Sequence, residues 1–284
     1  MKSFITIALF LISVSFAELS AQQINENLLL HKIDSCLVKL TEVKNKAVEI
    51  NKCFENFYPI AIAIKDSLYI FDKPDNSSKY TLVKKTAQPF PIPAGMQASF
   101  PLSVYDNKAV CVITPVTLTK PDGNAFILHE FIHCCQFNSV ETEIKEELSI
   151  YKEAMDKQDY MWEMNHPFPY NDTLYCQLYG LFKSALISNN VETAKKLRSE
   201  IKNHLSKNDF EYLLWQEWKE GFARYNENKI RTMLGIEINN YGSDEPYDRV
   251  SFYYSGDLLS GRLIENEPGL IDDMLLLYER MKSF

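Results

Sequence analysis

The chain has 284 residues, of which 46% are hydrophobic and 24% are charged, and its formal net charge is −8 at pH 7. This balance is typical of a globular protein that buries a substantial core, and it excludes a disordered chain. The acidic charge argues against a nucleic-acid partner, and the sequence contains neither of the glycine-rich motifs that bind nucleotides, so no nucleotide is expected.

The first 21 residues have the pattern of a secretory signal peptide. Lys2 precedes an apolar run from Phe4 to Phe16, and small residues follow up to Ala21, with Ala17 as an alternative cleavage site. The run is shorter than the roughly 20 apolar residues that cross a bilayer, and no later segment reaches that length. We therefore predict a periplasmic or secreted protein with no membrane span, whose mature chain is 22–284.

The mature chain is predicted to open with an amphipathic helix and then to form a small sheet within 55–118. Apolar residues at helical spacing place the helix between 24 and 52. Short β-branched and aromatic runs indicate strands at 58–64, 67–71, 80–84 and 109–114, whereas the prolines between 89 and 101 indicate a loop. By analogy, we expect the last of these strands to form a sheet edge that pairs with an extended peptide.

Residues 122–284 are predicted to be helical. The first of these helices follows Pro121, and Asp122 is expected to lie in its N-terminal cap. Strands followed by helices predict an α+β fold rather than alternating α/β, and no linker divides the mature chain, so a single domain is expected. Further helices are predicted near 141–164, 172–188, 191–206, 209–233, 248–263 and 268–282.

The first post-sheet helix contains the motif H-E-x-x-H, formed by His129, Glu130 and His133. Residues four apart on a helix lie about 40° apart around its axis, so both imidazoles can bind one metal ion while Glu130 reaches a water on that ion. The alternative is that the histidines only pack in the core. A packing role would require several buried hydrogen-bond partners for the polar atoms of the histidines and of Glu130. Binding of a metal ion is the simpler role for these side chains.

A catalytic zinc ion usually has three protein ligands, so a third one is needed. The candidate is Glu220 in Trp218-Lys219-Glu220-Gly221-Phe222-Ala223, where the small residues at 221 and 223 would let this helix pack closely against the H-E-x-x-H helix. Glu217 is the rival ligand or an acceptor for a ligating histidine. Arg224 is expected to pair with one of these two glutamates.

The element Glu-Gly-Phe-Ala at 220–223, following H-E-x-x-H, resembles the gluzincin metallopeptidases, including aminopeptidase N-like and glycyl aminopeptidase-like enzymes. The segments 129–136, 178–186 and 217–225 are also similar to secreted bacterial proteins of the same superfamily, and the resemblance covers about 109–260. It implies a zincin-like fold, with His129, His133 and Glu220 as zinc ligands and Glu130 as general base. The exopeptidase element Gly-Ala-Met-Glu-Asn does not occur here, so the resemblance does not extend to the recognition of a free amino terminus.

In aminopeptidase N-like enzymes a tyrosine three residues before a glycine stabilises the oxyanion, and Tyr253 in Ser251-Phe252-Tyr253-Tyr254-Ser255-Gly256 resembles it. Tyr254 is the alternative and Tyr225 a weaker one. We predict a zinc peptidase that acts on a peptide or protein substrate. The rival functions are a binding protein without turnover and a zinc hydrolase that acts on a non-peptide amide.

The sequence does not decide the role of Gln136 or the pairing of the cysteines. Gln136, one turn beyond His133, is expected to orient that histidine or a substrate, or only to pack. Six cysteines in an exported chain permit disulfides whose pairing the sequence does not give, and Cys134 and Cys135 are expected to be buried by packing.

Overall fold

The computed structural model describes residues 26–74 and 77–284. It confirms the α+β fold, with a small sheet on the N-terminal side and helices after it. The predicted signal peptide lies outside the described residues. In the part of the chain that is described, no helix is both long and apolar enough to cross a membrane.

The sheet has five strands in the order β3-β2-β1-β5-β4, and among these described strands β1 and β5 are parallel neighbours while the other neighbours are antiparallel. It follows the first helix, α1, which covers 26–47. Three 3₁₀ turns accompany the main elements, at Lys52–Glu55, Ser103–Tyr105 and Pro268–Ile271. The strands are β1 (Ile60–Ile64), β2 (Ser67–Asp72), β3 (Thr81–Ala87), β4 (Gln97–Leu102) and β5 (Lys108–Ile113).

Strand β4 and the position of the sheet edge differ from the sequence prediction. β4 occupies a segment that its prolines had assigned to a loop, and Pro101 is tolerated there because β4 is an edge strand. The expectation that 109–114 forms the edge is therefore wrong, since β5 is hydrogen-bonded to β1 on one side and to β4 on the other.

The two faces of the sheet are buried in different ways. Alternate residues such as Ile60, Ile62 and Phe71 join the main core with the helices. The intervening residues, such as Ala61 and Val112, form a smaller core that Ile92, Phe100 and neighbouring apolar side chains cover. Strands β1, β2 and β5, which are covered on both faces, are therefore apolar along most of their length, whereas β3 is mostly exposed and β4 is partly buried.

Most of the described chain after the sheet is helical. Most of the helices agree with the prediction, but the long helix expected at 141–164 is divided into three, because the chain is extended at Leu148 and turns between 157 and 161. The helices are α2 (Pro115–Thr119), α3 (Gly123–Ser139), α4 (Glu141–Glu147), α5 (Ser149–Asp156), α6 (Trp162–Asn165), α7 (Thr173–Ile187), α8 (Val191–His204), α9 (Lys207–Gln216), a π-helix (Glu217–Gly221), α10 (Phe222–Leu234), α11 (Ser251–Asn266) and α12 (Met274–Ser283).

α3 is the central helix of the molecule. It packs against β4 and β5 on one side and against α10 on another. A disulfide between Cys135 of α3 and Cys53 of the 3₁₀ turn Lys52–Glu55 fixes it further. Cys135 packs against the main core as expected, but it is only partly buried, and its sulfur is in a disulfide. Cys134 is buried, and its thiol donates to Ser99. Cys134 and the three remaining cysteines have free thiols.

Candidate metal centre

The two histidines of the H-E-x-x-H motif are buried on α3 and point at the same spot. Their Nε2 atoms are 3.2 Å apart, and each ring is less than a tenth exposed. The predicted helix therefore brings both imidazoles together as the spacing of the motif requires.

Glu220 completes the cluster from the π-helix. Its Oε2 lies 3.3 Å from Nε2 of His133 and 3.7 Å from Nε2 of His129. Two ligand atoms at about 2.0–2.1 Å from a tetrahedral zinc ion are separated by roughly 3.3–3.4 Å. Two nitrogens and one carboxylate oxygen at these separations fit a metal ion, and His129, His133 and Glu220 form the one such cluster found in the described residues.

The charges at the cluster also favour a bound cation. Burial lowers the pKa of His129, but hydrogen bonds to Glu220 and Glu227 outweigh this effect and raise the pKa to about 9. Burial raises the pKa of Glu220, but the charge of His133 and hydrogen bonds from both histidines lower it well below its ordinary value. The carboxylates that hold a proton on His129 would equally stabilise a metal ion beside it.

A second carboxylate, Glu227, fixes the orientation of His129. Its Oε2 lies 3.0 Å from Nδ1 of His129, and its side chain is fully buried. A carboxylate only accepts hydrogen bonds, so Nδ1 carries a proton, and Nε2 is the nitrogen left to bind a metal ion that displaces its proton.

Gln136 has the corresponding role at His133. Its amide nitrogen donates to the backbone carbonyls of Trp218 and Lys219, so its oxygen must face Nδ1 of His133, at 2.9 Å. His133 then donates from Nδ1 and keeps Nε2 free as a ligand. The same amide joins α3 to the π-helix, so one side chain connects the elements that carry the second and third candidate ligands.

Glu217 and Glu220 are only three residues apart, but they lie in different surroundings. Glu217 is fully buried, pairs with Arg198 at 2.6 Å and accepts from Ser255 at 2.7 Å. It is therefore neither a rival ligand nor an acceptor for His129 or His133. Both glutamates belong to the π-helix, and such segments are frequent at functional sites.

A contact between two glycines brings α11 next to Glu220. A Cβ on Gly221 would overlap the backbone of Gly256, and a Cβ on Gly256 would overlap the carbonyl of Glu217. The expectation that Gly221 allows close packing against α3 is therefore wrong, because its close neighbour is α11. Tyr253 lies one turn before Gly256, so the contact also brings this tyrosine to the cluster.

Glu130 is buried beside the histidines, and its Oε2 has no hydrogen-bond partner among the described residues. Its backbone carbonyl accepts from the Ser99 hydroxyl of β4 at 2.8 Å, which ties this part of α3 to the edge strand. A buried carboxylate oxygen without a partner is costly, so it indicates a group that binds something further, such as a water molecule.

Tyr253 lies at the cluster, whereas the two alternative tyrosines contact other residues. Burial and the charge of Glu220 raise the pKa of Tyr253 well above its ordinary value, so the hydroxyl keeps its proton at neutral pH. Tyr254 lies beside Lys183, and Tyr225 packs against Gly261. Of the three, Tyr253 is the tyrosine whose hydroxyl can donate at the candidate metal centre.

Arg224 differs from its sequence prediction, whereas Asp122 is the N-cap residue of α3, as expected, but does not cap the helix with its side chain. Arg224 pairs with Glu227 at 3.3 Å instead of Glu217 or Glu220, and it also donates to the backbone carbonyls of Asn239 and Tyr241. Asp122 makes no side-chain capping hydrogen bond, because its carboxylate accepts from Arg231 at 2.9 Å.

Sequence reasoning did not single out Glu227 and Arg249. Glu227 lies two helical turns after Glu220 and therefore on the same face, a spacing that offered a signal. Arg249 precedes α11, and its Nη1 lies 2.5 Å from the Tyr253 hydroxyl and 3.7 Å from Oε1 of Glu220. It sits in a loop with no periodic pattern, so only its spacing of one helical turn from Tyr253 could have pointed to it.

A cavity of about 900 Å³ is formed between the start of α3 and the segment 237–248. Phe126, one turn before the motif, and Arg224, whose guanidinium packs on the Tyr253 ring at 5.5 Å, both line it. These two residues connect the cavity with the surroundings of the candidate metal centre.

Comparisons of the chain with protein-family models, with curated proteins and with solved structures return no match.

Proposed function

We propose that this protein is an exported zinc peptidase. The observation that carries the proposal is the convergence of His129, His133 and Glu220 within ligand distance of one another, next to a buried Glu130 oxygen that lacks a partner. The resemblance of the H-E-x-x-H and Glu-Gly-Phe-Ala elements to gluzincins supports zinc as the metal and peptide hydrolysis as the reaction.

The zinc ion would be held by Nε2 of His129, Nε2 of His133 and a carboxylate oxygen of Glu220. When bound in such a site, zinc lowers the pKa of a water molecule to about 7 and polarises a carbonyl group. Glu227 and Gln136 contribute by holding the two imidazoles in the tautomer that ligation needs.

Glu130 acts as general base and then as general acid. Its free oxygen removes a proton from the attacking water as the new carbon–oxygen bond forms and the carbonyl electron pair moves onto oxygen. Glu130 then transfers that proton to the amide nitrogen as the carbon–nitrogen bond breaks. The Tyr253 hydroxyl donates a hydrogen bond to the oxyanion while the negative charge is on it.

The edge strand β4 supports a peptide over other amides. Among the described residues, no strand pairs with its outer edge, and Ser99 of this strand contacts the backbone of Glu130. An extended substrate that adds to this edge would align its backbone with the motif helix, and backbone pairing accepts many side chains.

The test compares the parent protein with Glu130→Gln and with Glu143→Gln, a matched change on the exposed surface of α4. Zinc content and cleavage of a peptide library are measured for all three. We expect about one zinc per chain throughout, peptide hydrolysis by the parent and Glu143→Gln, and a loss of most hydrolysis in Glu130→Gln, because an amide does not accept the proton. A parent that binds zinc and cleaves no peptide would overturn the proposal in favour of a binding protein or a non-peptide hydrolase.

A further inference from the structure

Arg249 contacts the Tyr253 hydroxyl from a position one helical turn earlier. Its Nη1 donates to that oxygen at 2.5 Å, and its guanidinium also lies over the tyrosine ring, 5.2 Å from the centroid. Arg224 packs on the same ring at 5.5 Å. Two arginines therefore hold one tyrosine at the edge of the candidate metal centre.

Arg249 is itself held near the third candidate ligand. Its Nη1 lies 3.5 Å from Oε1 of Gln216 and 3.7 Å from Oε1 of Glu220. Its side chain is 24% exposed, so it is partly buried and still reaches the surface. These contacts restrict the guanidinium to one side of the Tyr253 hydroxyl.

The direction of the Tyr253 proton follows from this contact. A phenolic hydroxyl has one proton to donate, whereas a guanidinium only donates. Because Arg249 occupies an acceptor position of the oxygen, the proton must point away from the guanidinium. A charge-assisted bond received by the oxygen also polarises the O–H group and makes it a stronger donor.

We propose that Arg249 is a positioning residue, which directs the Tyr253 O–H toward the reacting carbonyl oxygen and strengthens that hydrogen bond. The inference rests on the proposed hydrolytic function. Arg224 supports the ring from its own position, and its ion pair with Glu227 links Tyr253 to the carboxylate that orients His129. Tyr253 is then held by residues that also fix the candidate ligands.

The first experiment does not depend on hydrolytic activity. The protein is produced with 3-fluorotyrosine, and the Tyr253 signal is identified in the ¹⁹F spectrum by its absence in Tyr253→Phe. We expect Arg249→Gln to move this signal by more than its linewidth. Arg262→Gln, a matched change on α11, the helix that carries Tyr253, should leave it in place, because Arg262 contacts Glu265 and the Leu186 carbonyl instead. An unmoved Tyr253 signal in Arg249→Gln would overturn the contact on which the inference depends.

The second experiment is a double-mutant cycle on the zinc-loaded protein. Arg249→Gln should lower kcat by about 10- to 100-fold with zinc content and KM unchanged, as is usual when a supporting partner of a reacting group is lost. In the Tyr253→Phe background the same change should have almost no further effect, because Arg249 acts through that hydroxyl.

Two outcomes separate the possible failures. A raised KM and a loss that adds fully to that of Tyr253→Phe would overturn the inference, since Arg249 would then bind the substrate directly. A parent without hydrolytic activity would overturn the proposed function, and the ¹⁹F comparison would still decide whether Arg249 orients Tyr253.

Discussion

Glu227 gives the sharpest test of how the candidate metal centre is built. All of the partners of its carboxylate are donors: Arg231 and Asn239 contact Oε1 at 2.7 and 2.9 Å, and His129 and Arg224 contact Oε2 at 3.0 and 3.3 Å. In Glu227→Gln, one of these oxygens becomes an NH₂ group that must face donors. The longer contacts are at Oε2, so we expect the new amide to face His129.

The expected size of the effect follows from the imidazole tautomer. An NH₂ group at this position forces Nδ1 of His129 to accept, which leaves the proton on Nε2, the atom that faces His133 and Glu220. Loss of an outer partner of a metal ligand costs about 10- to 100-fold in affinity. Because the change also blocks the ligand atom, we expect the upper end of this range, or about 2.7 kcal/mol.

The assay is a zinc competition against a chromophoric chelator at fixed pH, with circular dichroism to check the fold. Glu237→Gln is the matched control, because it makes the same change at an exposed position near the far end of α10. A folded Glu227→Gln protein that binds zinc within twofold of the parent would refute the tautomer reasoning. A loss that is equal in both variants would show a general charge effect instead.

Three further predictions concern stability and the connection between helices. Gly256→Ala should lower the free energy of unfolding by about 1–3 kcal/mol in a urea titration, because its Cβ overlaps the adjacent helix, whereas Gly269→Ala, with open space around it, should be nearly neutral. Gln136→Leu should weaken zinc binding about 10- to 100-fold in the chelator assay, because an imidazole loses its acceptor; an unchanged affinity would mean that packing alone orients the ring. Burial raises the pKa of Asp257 to about 6, although a hydrogen bond from Asn228 opposes this, so its ionisation should cost the folded state up to about 3 kcal/mol as the pH rises from 4 to 7. Urea midpoints at both pH values should show that Asp257→Asn removes this part of the dependence, and an identical pH dependence in both proteins would contradict the assignment.

The parts of the site that sequence predicted are those set by local periodicity. The histidines of the motif share a helix, and a spacing of four residues on a helix fixes their relative direction whatever surrounds them. Glu220 required the resemblance to a known family, because its approach to α3 depends on how distant segments pack. The structure brings the three side chains to within ligand distance of one another.

The parts that sequence reasoning missed depend on contacts between distant segments. Glu227, on α10, reaches His129 on α3; its spacing from Glu220 suggests a shared face, but it does not reveal that His129 is the partner. Strand β4 was missed because Pro101 argues against a strand, and only the sheet order shows that it lies at an edge where proline is allowed. The disulfide between Cys53 and Cys135 likewise needs a folded chain to bring its cysteines together.

The π-helix between α9 and α10 also affects how the sequence is counted. An α-helix closes its hydrogen bonds over four residues and a π-helix over five, so the segment Glu217–Gly221 holds one residue more than an α-helical turn would. The residues of α10 are therefore out of phase with those of α9. A single helical wheel drawn through 209–233 places the residues on one side of the π-helix on the wrong face. Removing a single residue here would restore the phase and make the helix more regular. It would also turn Glu220 by about 100° relative to the helix that follows. A regular α-helix in this segment would therefore move the third candidate ligand away from its present position.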